Sequence, residues 1–381
     1  MPHQTWHTPD FPELRERRPW VMQEMIEAEP GLAEPVLSDP AAVDLGEAVG
    51  RAVDRGEPLA VVGCGTSEHG AMAVAEQITE ALGGRGRAHA RQSFEAMLDP
   101  WPAGACIGIS HEGGTAATVA AMASARRAGA AVGLITAAEA SDAAKGSDHT
   151  LVTPLRDRSW CHTVGYVSPI LGGAAVAAAC GLTVDPRAAR GALSISGDTG
   201  DAVRTVATSL HGVARYLTVG SGADRIAARE LALKIEEGVR VPASARDLET
   251  ILHGHWVAQD EGTAVVLILT DPREQGARAA RASQMLRAAA SIGCRTAAIV
   301  TPETGAGIAT GETSAGRIVV PDPSALPPST GSLLASAPAL QHLTLELVHL
   351  AGVNPDLIRR EDAPYRAAAA IAEASLRTAA D

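Results

Sequence analysis

A pattern that occurs twice along the chain constrains the fold more than any other feature of the sequence. Four short apolar runs in the first half, rich in Val and Ile, return in the same order in the second half. The corresponding pairs are Leu59–Ser67 and Leu217–Asp224, Ala105–Ser110 and Ala264–Thr270, Ala130–Thr136 and Thr296–Thr301, and Thr150–Pro154 and Arg317–Pro321. This correspondence predicts a duplicated domain.

Helical segments separate the apolar runs in both halves, for example Thr115–Ala128 and Gln275–Ala290. Continuous apolar strands that alternate with helices are typical of a parallel sheet covered by helices on both faces. We therefore predict an α/β fold with two tandem domains, each a three-layer sandwich. The predicted boundaries are 1–40 for an N-terminal helical segment, 41–195 and 196–350 for the two domains, and 351–381 for a C-terminal tail.

The charge and the cysteine content argue against several classes of protein. The formal net charge is −12 and no basic run occurs, which disfavours nucleic-acid binding because that binding depends on phosphate neutralisation. The five cysteines form no C-x-x-C motif, so neither a disulfide framework nor a structural zinc site is expected. The start of the chain lacks the apolar region of a signal peptide, and the longest apolar stretch, 172–184, is too short to span a bilayer. We expect a cytoplasmic protein with no membrane or nucleic-acid partner.

Two loops rich in glycine and hydroxyl groups follow predicted strands and precede predicted helices. The first loop runs from Gly63 to Gly70 and the second from Ser110 to Thr118. Ligands of open α/β sheets bind beyond the carboxyl ends of the strands, and helix N-termini favour anions. The first loop matches neither the dinucleotide fingerprint nor the P-loop, and a strand-to-helix turn capped by Ser or Thr is the alternative for this loop alone. Together the loops predict a clasp for a small anionic or polyhydroxylated ligand.

A charged helix is predicted over Asp224–Gly238. Glu230, Lys234 and Glu237 lie on one face of this helix, and Lys234 is one of only two lysines in the chain. A solvated ladder of salt bridges is the alternative to a functional cluster.

Histidines follow this helix and also occur in the predicted ligand loops. His253 and His255 are close behind the charged helix, and histidine is the usual acid–base side chain near neutral pH. No further ligand stands at a suitable spacing, so no metal site is predicted. His162, in the connecting segment Ser159–Ser209, is a further candidate whose alternative is a structural role.

In this order, the two loops, the charged helix and the histidine resemble the sugar isomerase (SIS) domain family. The similarity is greatest to tandem members such as the isomerase half of glucosamine-6-phosphate synthases, and it extends from about Arg18 to Arg360. The spacing from Lys234 to His253 is the most specific match. The resemblance implies a flavodoxin-like fold for each of two tandem SIS domains.

The resemblance also implies a role for individual residues. Glu237 is the base that moves a proton between C1 and C2 of a sugar, Lys234 stabilises the enediolate, and His253 opens the sugar ring. His253 reaches the site of a neighbouring subunit in this family, so a homodimer with the site at the subunit interface is expected, without a metal or another cofactor. The implied substrate contacts are Gly65, Thr66, Ser67, Ser110, His111, Glu112, Thr115 and Arg360.

The sequence departs from the family pattern at several positions. Glu112 stands where the family has Ser, and Gly114 replaces its Glu. A carboxylate about 4 Å from a phosphate costs on the order of 1–4 kcal/mol, so either Glu112 points away or the ligand is not an ordinary sugar phosphate. Arg360 replaces a lysine, and arginine neither forms imines readily nor exchanges protons at neutral pH. The chain begins Met1-Pro-His-Gln without the cysteine of a glutaminase domain, so use of glutamine is not expected.

Two functions follow from the resemblance. The first is an enzyme that acts on a sugar phosphate or amino-sugar phosphate as an isomerase, deaminase or deglycase, through an enediol or enamine intermediate. The second is a non-catalytic regulatory protein that binds a sugar phosphate. The presence of Glu237, Lys234 and His253 together favours the enzyme, because binding alone needs no base.

Overall fold

The computed structural model describes residues 15–372. Residues 1–14 and 373–381, which belong to the predicted N-terminal segment and C-terminal tail, lie outside the described residues. The helices are α1 (Val21–Ala28), α2 (Ala33–Leu37), α3 (Ala41–Asp54), α4 (Thr66–Leu82), α5 (Ser93–Leu98), α6 (Ala116–Arg127), α7 (Asp142–Lys145), α8 (Val164–Ala179), α9 (Pro186–Ala192), α10 (Gly197–Leu210), α11 (Asp224–Lys234), α12 (Gln275–Ser291), α13 (Pro302–Ala306), α14 (Pro328–Ala351) and α15 (Ala363–Ala372).

The strands form two separate five-stranded sheets in which every strand pair is parallel. The first contains β1 (Leu59–Gly63), β2 (Ala88–Gln92), β3 (Ala105–Ile109), β4 (Ala131–Thr136) and β5 (His149–Val152). The second contains β6 (Arg215–Gly220), β7 (Ala243–Asp247), β8 (Thr263–Leu269), β9 (Arg295–Val300) and β10 (Gly316–Val319).

Both sheets have the same topology. The strand orders are β2-β1-β3-β4-β5 and β10-β9-β8-β6-β7, and the second order read backwards repeats the first. This is the doubly wound order of flavodoxin-like folds, in which ligands bind where the strand order reverses, beyond the first and third strands. The predicted α/β fold with two parallel-sheet domains is confirmed.

The two sheets share one hydrophobic core. Strands β3 and β8 are buried along their whole length, as continuous apolar runs predict. Between the sheets, α4 packs against α8, α11 and α14, and side chains from all four helices belong to a single buried cluster. The carboxyl edge of the first sheet therefore meets a helix of the second domain.

Two strands escaped sequence-based prediction. Strands β2 and β7 lie at sheet edges, and their sequences, AHARQ and ASARD, contain no apolar run. Their positions are fixed by pairing with β1 and β6. Edge strands are covered less than central ones, so their side chains need not be apolar.

Two helices contain irregular positions. Helix α14 begins at Pro328 and contains a second proline, Pro338, in its interior. This helix is buried over nearly all its length, and its packing outweighs the backbone hydrogen bond that proline removes. The charged helix ends as an α-helix at Lys234 and continues as a π-helical turn, Ile235–Val239.

Helix length and polarity bear on membrane insertion. Within residues 15–372, no helix is both long enough and apolar enough to cross a bilayer.

Candidate functional site

The first predicted ligand loop is an open turn between β1 and α4. A Cβ atom on Gly63 would lie 2.2 Å from the carbonyl oxygen of Ser67, so only glycine allows this tight turn. Gly65 has a positive φ of 58° and faces open space, while Thr66 and Ser67 form the first turn of α4. The exposed Gly65 and the partly exposed Ser67 thus lie at the N-terminus of α4, an end of a helix that favours anions.

The second loop follows β3 at the neighbouring position of the same sheet edge. Ser110 and His111 are buried, whereas Glu112 and Thr115 are exposed and Thr115 precedes the first residue of α6. Glu112 accepts two hydrogen bonds from Arg156, of 3.2 Å from Nε and 2.9 Å from Nη2. The guanidinium of Arg156 therefore neutralises the carboxylate of Glu112, which stands where the family has Ser.

A buried ion cluster lies at the end of α11. Lys234 is 0% exposed, its Nζ lies 3.5 Å from Oε1 of Glu230, and it donates a hydrogen bond to Oε2 of Glu237. Burial alone would lower the pKa of Lys234, but the charges of Glu237 and Glu230 raise it above its ordinary value. The lysine is thus held as a cation, and the alternative of a solvated ladder is wrong.

Glu237 occupies a special backbone position. It lies on the π-helical turn that follows α11, and its side chain is 21% exposed although its partner is fully buried. Such turns interrupt an α-helix at a cost and occur often at functional sites. The turn presents one carboxylate of the cluster toward solvent and leaves the other, Glu230, inside.

Glu230 connects this cluster to the first loop. Thr66 Oγ1 donates to Glu230 Oε1 over 3.3 Å, and His69 Nδ1 lies 2.6 Å from Glu230 Oε2. Burial raises the pKa of Glu230, but Lys234 and His69 outweigh this effect and hold the pKa below its ordinary value. A carboxylate of the second domain is therefore built into the ligand loop of the first.

A third segment, 157–163, completes the surroundings of Glu237. Cys161 is buried close to Lys234, and the charges of Lys234 and Glu237 both act on His162. The imidazole of His162 lies 5.6 Å from that of His111, between ring centroids. The sequence named His162 only as a candidate with a structural alternative, and it gave no sign of Asp157, which lies between the two histidines.

The structure places the two remaining predicted site residues, His253 and Arg360, in different surroundings. His253 is on an exposed turn, and its Nε2 is hydrogen-bonded to Glu249 Oε1 at 2.8 Å. Arg360 lies with its guanidinium 4.4 Å above the ring of Trp160, which precedes Cys161. The structure of a single chain therefore brings Arg360 beside the 157–163 segment and does not bring His253 to Glu237.

The C-terminal segment is fastened to the π-helical turn. Arg240 follows this turn in the left-handed region, and its Nη2 donates to the carbonyl oxygen of Asn354 over 3.1 Å and to Glu361. The loop that carries Arg360 is thereby attached to the helix that carries Glu237.

At the carboxyl edge of the second sheet, side chains cover the turn that corresponds to the first ligand loop. A Cβ atom on Gly222, the counterpart of Gly65, would lie 2.3 Å from Asp271 Oδ2 and 2.6 Å from Arg278 Nη1. Asp271 is buried and pairs with Arg278 at 2.9 Å and with Arg273 at 2.6 Å. Side chains therefore cover the turn at Gly222, whereas the turn at Gly65 faces open space.

A metal site needs several ligating side chains close together. Within residues 15–372, no group of three or more His, Cys, Asp or Glu side chains is arranged to hold a metal ion.

Comparison with a family model identifies the class of the first domain. Residues 57–171 match the SIS domain. The matched segment contains both ligand loops and the 157–163 segment, so the predicted resemblance to the SIS family is confirmed for this part of the chain. No curated protein sequence matches the chain.

Solved structures extend this likeness to both domains. The C-terminal domain of glucosamine-fructose-6-phosphate aminotransferase from Francisella tularensis has a TM-score of 0.72 at 16% identity, covering 89% of this chain and 98% of that one. Tagatose-6-phosphate ketose/aldose isomerase from Escherichia coli has a TM-score of 0.70 at 20% identity, covering 89% and 95%. Glucosamine-6-phosphate deaminase from Thermotoga maritima has a TM-score of 0.67 at 18% identity, covering 88% and 96%. The chain thus has the fold of tandem SIS domains.

Proposed function

We propose that the protein is an enzyme that transfers a proton between C1 and C2 of a sugar phosphate or amino-sugar phosphate. The observation that carries this proposal is the position of Glu237, which is 21% exposed on a π-helical turn and paired with a fully buried lysine. Recognition of a sugar needs no carboxylate held in this way, whereas a proton transfer between adjacent carbons does.

The two residues of the ion pair, Glu237 and Lys234, have different roles in the reaction. Glu237 removes the proton from C2 of the open-chain aldose, and the electron pair of that bond forms the enediolate while the carbonyl oxygen gains negative charge. Lys234, held as a cation by two carboxylates, stabilises this charge. Transfer of the hydroxyl proton from O2 to O1 and return of the abstracted proton to C1 give the ketose. With an amino group at C2, the same proton transfer gives an imine at C2, and hydrolysis of this imine by water releases ammonia. Isomerase, deaminase and deglycase are therefore variants of one mechanism.

The loops of the first domain supply the binding site for the phosphate. The N-termini of α4 and α6 lie after neighbouring strands β1 and β3, and Ser67 and Thr115 add hydroxyl groups there. Backbone N–H groups and a helix dipole favour an anion at this edge.

The pairing of Arg156 with Glu112 gives a testable consequence for phosphate binding. We expect Arg156→Met to weaken binding of glucosamine 6-phosphate about 10-fold, because Glu112 then repels the phosphate without its counter-charge. Isothermal titration calorimetry measures the change, with unphosphorylated glucosamine as the control ligand. The double variant Arg156→Met/Glu112→Gln should regain most of the affinity. A double variant as weak as the single one would contradict this role of Glu112.

Hydrogen exchange in deuterated water tests the proposed function directly. We expect the wild-type protein to introduce deuterium at C2 of glucosamine 6-phosphate or at C1 of fructose 6-phosphate, as followed by proton NMR. Binding of both sugar phosphates without exchange would instead identify a non-catalytic sugar-phosphate-binding protein.

His253 requires a second chain for the role that the family implies. Its side chain bonds to Glu249 on an exposed turn, so ring opening by His253 needs a homodimer in which this turn reaches the partner's cluster. The homodimer and the cytoplasmic location stay predictions.

A further inference from the structure

A buried carboxylate and two histidines lie beside the proposed base. Asp157 is fully buried and accepts hydrogen bonds from the backbone N–H groups of Ser159, Thr163 and Gly165, over 3.0, 2.7 and 3.1 Å. Its Oδ2 atom lies 3.7 Å from Nδ1 of His162. Burial raises the pKa of Asp157, but the neighbouring histidine and the N–H donors outweigh this effect and lower the pKa to about 2. Asp157 is therefore a fixed anion next to His162.

The two histidines around Asp157 differ in what they can do. Nε2 of His111 accepts the backbone N–H of Asp157 over 2.7 Å, so this ring is neutral and its accepting nitrogen is occupied. Burial lowers the pKa of His111 to about 4. His162 has the opposite balance, because Asp157 outweighs burial and raises the pKa of its imidazole. Of the two histidines, only His162 has a carboxylate near Nδ1, at 3.7 Å, and an Nε2 that is not used by the backbone.

His162 lies beside the second ligand loop, through its contact with His111, and within electrostatic reach of the proposed base. The charged and titratable groups that act on it are Asp157 from its own segment, Lys234 and Glu237 from the charged helix and its π-helical turn, and His111 from the loop. The side chain is 24% exposed. A sugar bound by the loop with C2 at Glu237 would thus meet His162.

We propose that His162, oriented by Asp157, is the acid–base group that opens and closes the sugar ring within the same chain as Glu237. The proposal rests on the proposed function, since that function supplies the cyclic sugar phosphate. Nε2 of the neutral imidazole takes the proton of the anomeric hydroxyl while the bond from the anomeric carbon to the ring oxygen breaks. The hydroxyl oxygen becomes the carbonyl, and the imidazolium gives the proton to the ring oxygen. No co-reactant is needed, and Asp157 stabilises the transient imidazolium.

Interconversion of the α and β anomers of glucosamine 6-phosphate measures ring opening without any proton transfer at carbon. NMR exchange spectroscopy gives its rate above the rate without protein. We expect His162→Asn to lower the protein-catalysed rate about 100-fold, because the Asn amide keeps a donor toward Asp157 but lacks the Nε2 base. The affinity for the sugar phosphate should change by less than about threefold.

A second His–Asp pair in the chain provides the matched control. Nδ1 of His149 lies 3.8 Å from Oδ2 of Asp44, and His149 is the first residue of β5. It is therefore at the amino end of this strand, whereas the ligand loops follow the carboxyl ends of β1 and β3. His149→Asn should leave the anomerisation rate unchanged. A wild-type rate in His162→Asn, or a loss in His253→Asn instead, would overturn the proposal. So would a loss of affinity as large as the loss of rate, since that result describes a structural histidine.

The same experiment separates this proposal from the proposed function. Anomerisation by the wild-type protein without deuterium exchange at C2 would refute proton transfer by Glu237 and leave ring opening by His162 supported. Exchange at C2 without catalysed anomerisation would refute only the role of His162.

Discussion

Replacement of Glu237 by Gln is expected to slow deuterium exchange at C2 of glucosamine 6-phosphate about 1000-fold, with little change in affinity. The amide has the shape of the carboxylate but cannot accept a proton from carbon. Lys234 keeps its second partner, Glu230, at 3.5 Å, so the buried cation stays compensated and the fold is retained. Proton NMR gives the exchange rate and calorimetry gives the dissociation constant.

The neighbouring Glu236 offers a control on the same π-helical turn. Its Oε1 accepts the backbone N–H of Ala243 over 3.2 Å, outside the ion cluster. Glu236→Gln should therefore keep an exchange rate close to that of the wild-type protein. Equal losses in both variants would attribute the effect to the turn, and an unchanged rate in Glu237→Gln would remove the proposed base.

The sequence was most informative where burial constrains residue type. The central strands β3 and β8 are covered on both faces, so they must be apolar throughout and can be recognised as runs of Val, Ile and Leu. The edge strands β2 and β7 are paired on one side only and carry polar residues, so no comparable pattern marks them.

The candidate site shows the same division between local and distant information. Glu230 and Lys234 are separated by one helical turn, so their contact could be predicted from spacing. The bond from His69 to Glu230 joins residues far apart in the chain, and the pairing of Arg156 with Glu112 depends on where a loop returns. Neither follows from periodicity.

The repeated sequence pattern also does not indicate that the carboxyl edges of the two sheets differ. Gly65 and Gly222 occupy equivalent turns, yet the first faces open space and the second is covered by Arg278 and Asp271. Arg278 comes from α12, which is distant from Gly222 in the sequence. The spacing of the glycines therefore could not predict that this long side chain covers the turn. The asymmetry between the domains is thus a property of packing.

Replacement of Lys234 by Met is expected to destabilise the protein by about 3 kcal/mol. Met fills nearly the same volume, but the variant leaves Glu230, which is 1% exposed, without its buried cation. An uncompensated buried carboxylate has its pKa raised by burial. Its penalty therefore grows as pH rises and shrinks as pH falls, because the folded state then takes up a proton. Urea denaturation at several pH values measures this cost.

Lys145, the second lysine of the chain, provides the control for this experiment. It is 70% exposed and pairs with an exposed Asp142 at 2.9 Å, so Lys145→Met should change the free energy of unfolding by less than about 0.5 kcal/mol. Adding Glu230→Gln to Lys234→Met should recover part of the lost stability, because it removes the buried charge. If Lys234→Met were as stable as Lys145→Met at neutral pH, the ion cluster would not be the reason for a lysine at this position. A loss that did not depend on pH would point to packing alone, since only the carboxylate left behind couples the cost to protonation.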